Sequence, residues 1–396
     1  MGSGDEQLGL FSNLPSPITY DILSRLPSKS IFGCKSVCKS FLKVVSEPEF
    51  LLLYQSRSPF QLLINTTSST TPGVDNSFNL VKIEDEPNHH RLHYLPETKM
   101  KFPKVGPDHS FTTMIGSING LVCLVEIHFN TVHIWNPTTR EYITIEIPKV
   151  KKGYPNVTSY GFGLSSTKGQ FHVIMIFQEI ETDNSVMNTS TRIIKSKCHV
   201  YTLGTGSWRS IGHASFLYNC REKGIFLNGN IHWLIHDQEG SESISCLDLE
   251  TELFKPFPSP KFSKQNLATL NTYGGYLCVC DNTCDFNIIM WTMKEYGVKN
   301  SWTREAVISK YPIDLIGCYY EVVHVVKVFK DGEILLIWRD DWFLSYHLEK
   351  KTLISFDARD LIGENLEGLP PCVEPMDYVS TILSLRSFQK EIVKVI

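Results

Sequence analysis

At 396 residues the chain exceeds what one hydrophobic core usually serves, so at least two units are expected, or a repeat that absorbs most of the length. With 42% hydrophobic and 20% charged residues and a formal net charge of -4, nothing in the composition draws it to nucleic acid or to an anionic membrane surface. Eleven cysteines, an odd number without framework spacing, and an N-terminus lacking the basic and apolar regions of a secretory signal exclude a disulfide scaffold and point to a reducing compartment, cytosol or nucleus. The apolar runs, such as FHVIMIF at 171 to 177, fall far short of the roughly 18 residues that read as a membrane span. Gly2 does not signal a lipid anchor, because Glu6 stands where the myristoylation motif needs Ser or Thr. The glycosylation-type triplets at Asn65, Asn156 and Asn188 have no route to glycosylation in such a compartment.

Residues 1–12 are expected to be a flexible N-terminus, and a helical unit follows over 13–50. Ser16 before Pro17 predicts a helix start with a serine cap. Ile18, Ile22 and Leu26 then recur every four residues with Leu23 beside them, one apolar stripe that Pro27 closes. Ser28 predicts the cap of a second helix carrying Ile31, Cys34, Val37, Cys38 and Phe41 on one side and Lys35, Lys39 and Lys43 on another, short or bent at Gly33 and ended by Pro48. Two or three short helices in about 40 residues lie near the size below which a domain needs metal, disulfides or a partner. Cys34 and Cys38 lack further ligands nearby, so they are read as small core side chains and the missing stabiliser as a partner. A helix-turn-helix with the three lysines on phosphates is the competing local reading. Lysines at this spacing are usually a solvated face, and the second helix lacks base-reading Arg, Asn or Gln.

The order Leu14-Pro15, Ile22-Leu23, Leu26-Pro27, Lys29-Ser30, Val37-Cys38-Lys39, Phe41 and Pro48-x-Phe50 resembles the F-box, particularly its plant form. Phe41 stands where many members carry tryptophan, and Gly33-Cys34 where leucine and a basic residue are common. The resemblance implies binding to a Skp-type adaptor and through it a cullin, with an adaptor face of Leu14, Pro15, Ile18, Ile22, Leu23, Leu26, Pro27, Ile31, Val37, Cys38 and Phe41.

Beyond Tyr54 the pattern becomes short β-branched and aromatic runs punctuated by Asn119-Gly120, Lys168-Gly169, Asn228-Gly229, Gly274-Gly275 and Asp331-Gly332, at intervals of 46 to 60 residues. Each precedes a strand. A second signal follows each one: an apolar strand, a polar turn and a re-entrant residue, best aligned at Trp208, Phe254 and Trp302. Five four-strand units with this period predict a propeller whose blades stack through those aromatics, since one unit cannot cover both faces of its own sheet. A sixth blade is expected from PFQLLIN and NLVKIE near the start and VSTILSL at 379–385. Residues 55–396 resemble the kelch-like F-box-associated domain of plant proteins, with only Gly274-Gly275 keeping the double glycine of true kelch repeats. The fold expected is therefore mainly β, a small N-terminal helical F-box followed by a β-propeller of about six blades.

Cys278 and Cys280 alternate along one strand with Cys284 in the next turn, and His89, His90 and His93 are expected in a polar loop beside Pro87 and Pro96; buried thiols and solvated histidines are the expected reading, with no metal or cofactor. No G-x-S-x-G elbow, Walker A loop or H-E-x-x-H helix occurs. The chain is expected to recruit a protein target to a ubiquitin ligase without chemistry of its own. A propeller hydrolase with acids and bases on separate blades, or a scaffold or DNA-binding adaptor, are the alternatives. The polar stretch Thr66 to Asn76 and the insertion Ile180 to Lys197 are candidates for target recognition or disorder.

Overall fold

The computed structural model describes residues 14–68, 75–86, 89–94, 99–102, 112–126, 131–148, 157–183, 190–213, 217–218, 223–236, 242–261, 268–282, 287–309, 323–338, 342–357 and 372–396. The expected flexible N-terminus lies outside them. Among the described residues four helices come first: α1 (Ser16–Leu23), α2 (Ser28–Val37), α3 (Lys39–Val44) and α4 (Pro48–Arg57). The helices depart from the expected ones at three points. Pro15 and Pro27 occupy the N-cap positions, so Ser16 and Ser28 lie in the first turns and neither caps. α2 runs through Gly33 and breaks at Cys38, whose extended backbone (φ -156, ψ 163) lets its Sγ accept from Phe41 N at 3.5 Å and cap α3. Pro48 begins a helix instead of ending one, because its fixed φ and missing N–H suit the first turn.

The remaining strands form six antiparallel sheets arranged as the blades of a propeller. Blade 1 combines Phe60–Ser68, Asp75–Glu86 and His89–Tyr94 with Cys372–Val379. Blade 2 runs from Thr112–Ile118 out to Glu141–Glu146, blade 3 from Val157–Leu164 to Trp208–His213 and blade 4 from Ile225–Leu227 to Leu253–Phe257. Ala268–Tyr273 to Trp302–Ser309 makes blade 5, and Val323–Val328 to Thr352–Asp357 makes blade 6. Innermost strands of successive blades lie side by side, including those of blades 6 and 1. The turn dipeptides do what their residues allow: Asn119 and Gly120 (φ 49 and 74), Asn228 and Gly229 (51 and 73) and Gly274 and Gly275 (53 and 82) have the paired positive φ of two-residue hairpins.

The re-entrant aromatics reach backwards across the seams. Trp208 Nε1 of blade 3 donates to Glu146 O of blade 2 at 2.8 Å, and Trp302 Nε1 of blade 5 donates to Pro258 O after blade 4 at 3.2 Å. Phe254 packs 6.0 Å from Trp233 within the core shared by blades 3 and 4. Gly163 permits the same seam to close, since a Cβ there would stand 2.4 Å from Leu249 Cδ1.

Ring closure by the C-terminus is present, but upstream of the stretch expected to provide it. Cys372–Val379 is the innermost strand of blade 1, paired from Phe60↔Val379 to Thr67↔Cys372. Most of VSTILSL instead leaves the sheet, crosses beneath the helices and ends in a 3-10 turn at Leu385–Ser387, after which Val393–Val395 adds a fifth strand to the outer edge of blade 2. Two further placements differ. His89, His90 and His93 lie on the outer strand of blade 1, in register with Glu86, Asp85 and Lys82, not in a loop. Thr66 and Asn76 belong to paired strands, with 69–74 outside the described residues. Deleting residues 372–396 would bare the edges of blades 1 and 2 together, so the shortened chain should lose its single sharp calorimetric transition; melting at the parent temperature with equal sharpness would exclude closure through this strand.

Candidate functional site

The helical unit divides its apolar side chains between a core and a surface. Leu23 (3% exposed), Ile31 (0%), Val45, Phe50 and Tyr54 form the core, supported by Tyr20, Leu26, Phe32, Cys34 and Phe41. Ile18 (48%), Ile22 (39%), Val37 (55%) and Leu42 stay exposed. Leu23 and Ile31, expected on an adaptor face, are thus buried in the core of the unit, because successive helical residues turn about 100° and Ile22 takes the outward direction that Leu23 leaves. Leu14, Leu26, Cys38 and Phe41 are half-buried, and Pro15 and Pro27 are exposed. Arg57 ties α4 to α1 through Asp21 Oδ1 at 2.7 Å and Ser24 Oγ at 2.6 Å, and with Arg25 it holds the Asp21 carboxyl below the usual range. Lys35, Lys39 and Lys43 do not make one basic stripe. The break at Cys38 separates them, and Lys35 turns inward, over the Phe32 ring and toward Ile382 O at 3.5 Å.

The helices sit at one end of the propeller. Gln55 Nε2 donates to Asn119 Oδ1 at 3.3 Å, which places the inner hairpin turns at that end and the connections between blades at the other. Carboxylates secure the helical end. Glu141 accepts from Ser384 Oγ and Leu385 N (2.8 Å) of the C-terminal tail. Glu250 of blade 4 accepts from Thr167 and Ser165 of blade 3, and these donors hold its carboxyl down at about 2.

At the opposite end, Lys223 Nζ donates to Glu374 Oε1 at 2.7 Å and to Met114 O at 3.0 Å, while Glu374 Oε2 accepts from Met114 N at 2.9 Å. One ion pair thereby joins the entry to blade 4 to the closing strand and to blade 2. His324 of blade 6 is held at about 4 by burial and then by the Lys223 charge. Across the seam of blades 4 and 5, Glu242 faces Asp281; burial first and that charge second push the Glu242 carboxyl up to about 7. None of these residues was singled out by sequence, since their partners lie tens to hundreds of positions away. The insertion at 180–197 is chiefly a hairpin at this same end: Phe171–Asp183 and Ser190–Thr202 pair as far as Asp183↔Ser190, beyond the last pairing of each with its other neighbour.

Cys278 and Cys280 share the core between blades 5 and 6, where burial pushes the Cys280 thiol up to about 12 and Cys278 well above its usual value. Cys284 lies outside the described residues. Among the described residues no three His, Cys, Asp or Glu side chains are grouped to hold a metal ion, and no helix is long and apolar enough to cross a membrane.

Residues 66–367 match the family described as F-box associated beta propeller domain, and residues 11–53 match the F-box domain. The chain belongs to the F-box proteins with an F-box associated propeller. Similar members of this family include the Arabidopsis thaliana F-box protein At3g07870, 26% identical over 370 residues, 85% of this chain and 86% of that one. The F-box/kelch-repeat protein At3g23880 of the same plant is 24% identical over 314 residues, 74% of this chain and 78% of that one. An oligogalacturonate lyase from Vibrio parahaemolyticus aligns with a TM-score of 0.40 at 9% identity, covering 75% of this chain and 85% of that one, a likeness too low to bear on the F-box protein's activity.

The Glu242 carboxyl gives the opposite end of the propeller a pH signature. In the folded chain it keeps its proton between 4.5 and about 7, where the unfolded chain has released it, so stability is lost as pH rises through that window. Glu242→Gln should therefore melt above wild type at about pH 8, with the gap closing at about pH 4, where both side chains are neutral. Thermal scans at the two pH values check this, and a constant gap would remove the assignment.

Proposed function

We propose that this chain is the target-recruiting subunit of a Skp-cullin-F-box ubiquitin ligase. Its helical unit binds a Skp-type adaptor, and the propeller holds a protein target for ubiquitination. The observation that carries the reading is the exposed apolar set Ile18, Ile22, Val37 and Leu42 on a unit that already has a core and belongs to the F-box family. Four large apolar side chains left in water on so small a unit mark a contact surface. Leu14, Pro15, Leu26, Pro27, Cys38 and Phe41 complete its border, while Leu23 and Ile31 support it from below. The work requires binding alone, so the chain needs no nucleophile, metal or cofactor, and it would act in cytosol or nucleus, where cullin ligases assemble. The target surface is the end of the propeller away from the helices, where the inter-blade connections and the long hairpin collect, so adaptor and target are held at opposite ends of a rigid ring.

Purified full-length chain should co-elute with a Skp-type adaptor. Removing two apolar contacts worth roughly 1.5 to 3 kcal/mol each, by Ile22→Asp with Val37→Asp, should weaken that complex about 100-fold or more. Because both side chains are exposed, the melting temperature should not move. Unaltered adaptor affinity would remove the reading, substrate turnover by the chain alone would favour the hydrolase, and retention on DNA the scaffold.

Replacing residues 182–195 with a short Gly/Ser linker tests the hairpin. Adaptor binding and melting should persist, while proteins that co-purify with the wild-type chain and are ubiquitinated by the assembled ligase should be lost. Their retention would move recognition to the other connections.

A further inference from the structure

We propose that the C-terminal tail completes the helical unit, with Ile382 as the positioning residue, so that the adaptor-binding surface assembles only in a chain whose propeller has closed; its adaptor arm rests on the function proposed above. Ile382 is 1% exposed and lies in one core with Leu23, Ile31, Val45, Phe50 and Tyr54. Among the described residues it is the single member of that core from outside the four helices and their turns. More than 320 positions separate it from its neighbours in sequence, so only the fold brings them together.

The tail is held on both sides of this residue. Asn136 Nδ2, fully buried in blade 2, donates to Leu383 O at 2.7 Å and to Thr381 O at 3.3 Å. Glu141 accepts from Leu385 N, and the Leu385 side chain is buried in the core shared by blades 2 and 3. Thr381 rests against the Asn119-Gly120 turn so closely that a Cβ at Gly120 would stand 2.5 Å from Thr381 Cγ2. From the other side, Lys35 Nζ reaches Ile382 O. The tail enters this position directly from the closing strand Cys372–Val379.

Two consequences follow from this covalent continuity. A unit of about 45 residues sits near the size below which a domain does not hold itself together, so a core side chain supplied from elsewhere is a large share of its stability. That side chain is also synthesised more than 320 residues after the helices it joins, and it is fixed by blades 1 and 2. A truncated or incompletely folded chain would then carry an intact F-box sequence and still compete poorly for adaptor, because affinity falls with the population of the competent state.

The test uses full-length protein with Ile382→Asp, Ile382→Ala and Ile382→Val. Amide hydrogen exchange reports the helices and blades 3 to 6 separately, and affinity is measured with purified Skp-type adaptor. For the Asp and Ala variants, exchange protection over residues 16–57 should fall about tenfold or more with blades 3 to 6 unchanged, and adaptor affinity should fall by a similar factor. Ile382→Val should stay within about threefold of wild type in both. Wild-type protection of the helices in Ile382→Ala would overturn the proposal, and so would equal loss of protection in the helices and blades 3 to 6, since that makes the residue merely structural for the whole chain. If the wild-type chain binds no adaptor, the exchange result still decides the coupling, and it is the ligase reading that falls.

Discussion

Pairing of Cys372–Val379 with Phe60–Ser68 is the interaction on which the rest of the molecule depends. Each blade is a sheet of four or five strands with two apolar faces, and one face can be covered only by the next blade. The cores accordingly run between sheets: blade 2 against 3, 3 against 4, 4 against 5 and 5 against 6. A linear stack would leave an uncovered face at each end. Closing the ring covers both at once, and the strand that closes it comes from the opposite end of the chain.

Closure brings polar groups together that must then be satisfied, and carboxylates take a share of this. Glu374 accepts from a backbone N–H of blade 2 and from Lys223 on the approach to blade 4; Glu141 gathers the tail; Glu250 receives the turn of blade 3; Asp85 Oδ1 accepts from Lys330 N, joining blade 1 to blade 6. A carboxylate suits a seam because its two oxygens can accept from two elements, and a charge-assisted bond is roughly twice as strong as a neutral one. The Lys223–Glu374 pair lies at the end away from the helices, where it joins the approach to blade 4 to the closing strand and blade 2.

The division of apolar residues within the helices has the same logic on a smaller scale. A unit this short can bury only one side of each helix, and what remains outward is available to a partner. Its own core is partly borrowed from the tail, so the helical unit and the ring share one segment of chain.

Much of this was legible in the sequence because it is locally encoded. Paired Asn-Gly and Gly-Gly positions mark hairpins through the φ they tolerate, apolar alternation marks strands, and Trp208, Phe254 and Trp302 recur because every blade needs the same seam residue. The helix periodicity and the F-box order were equally plain. Local encoding also misled: Ser16 and Ser28 look like caps, but the prolines before them already fix the entry angle, and VSTILSL reads as a strand although its apolar side chains serve the helices and blade 2. Only the tertiary structure decided that Leu23 lies inward and Ile22 outward, that 372–379 closes the ring, that Lys223 meets Glu374, and that Ile382 finishes the helical core. Each of these depends on which surface arrives from a distant part of the chain, and periodicity, which records a residue's relation to its near neighbours, carries no information about that arrival.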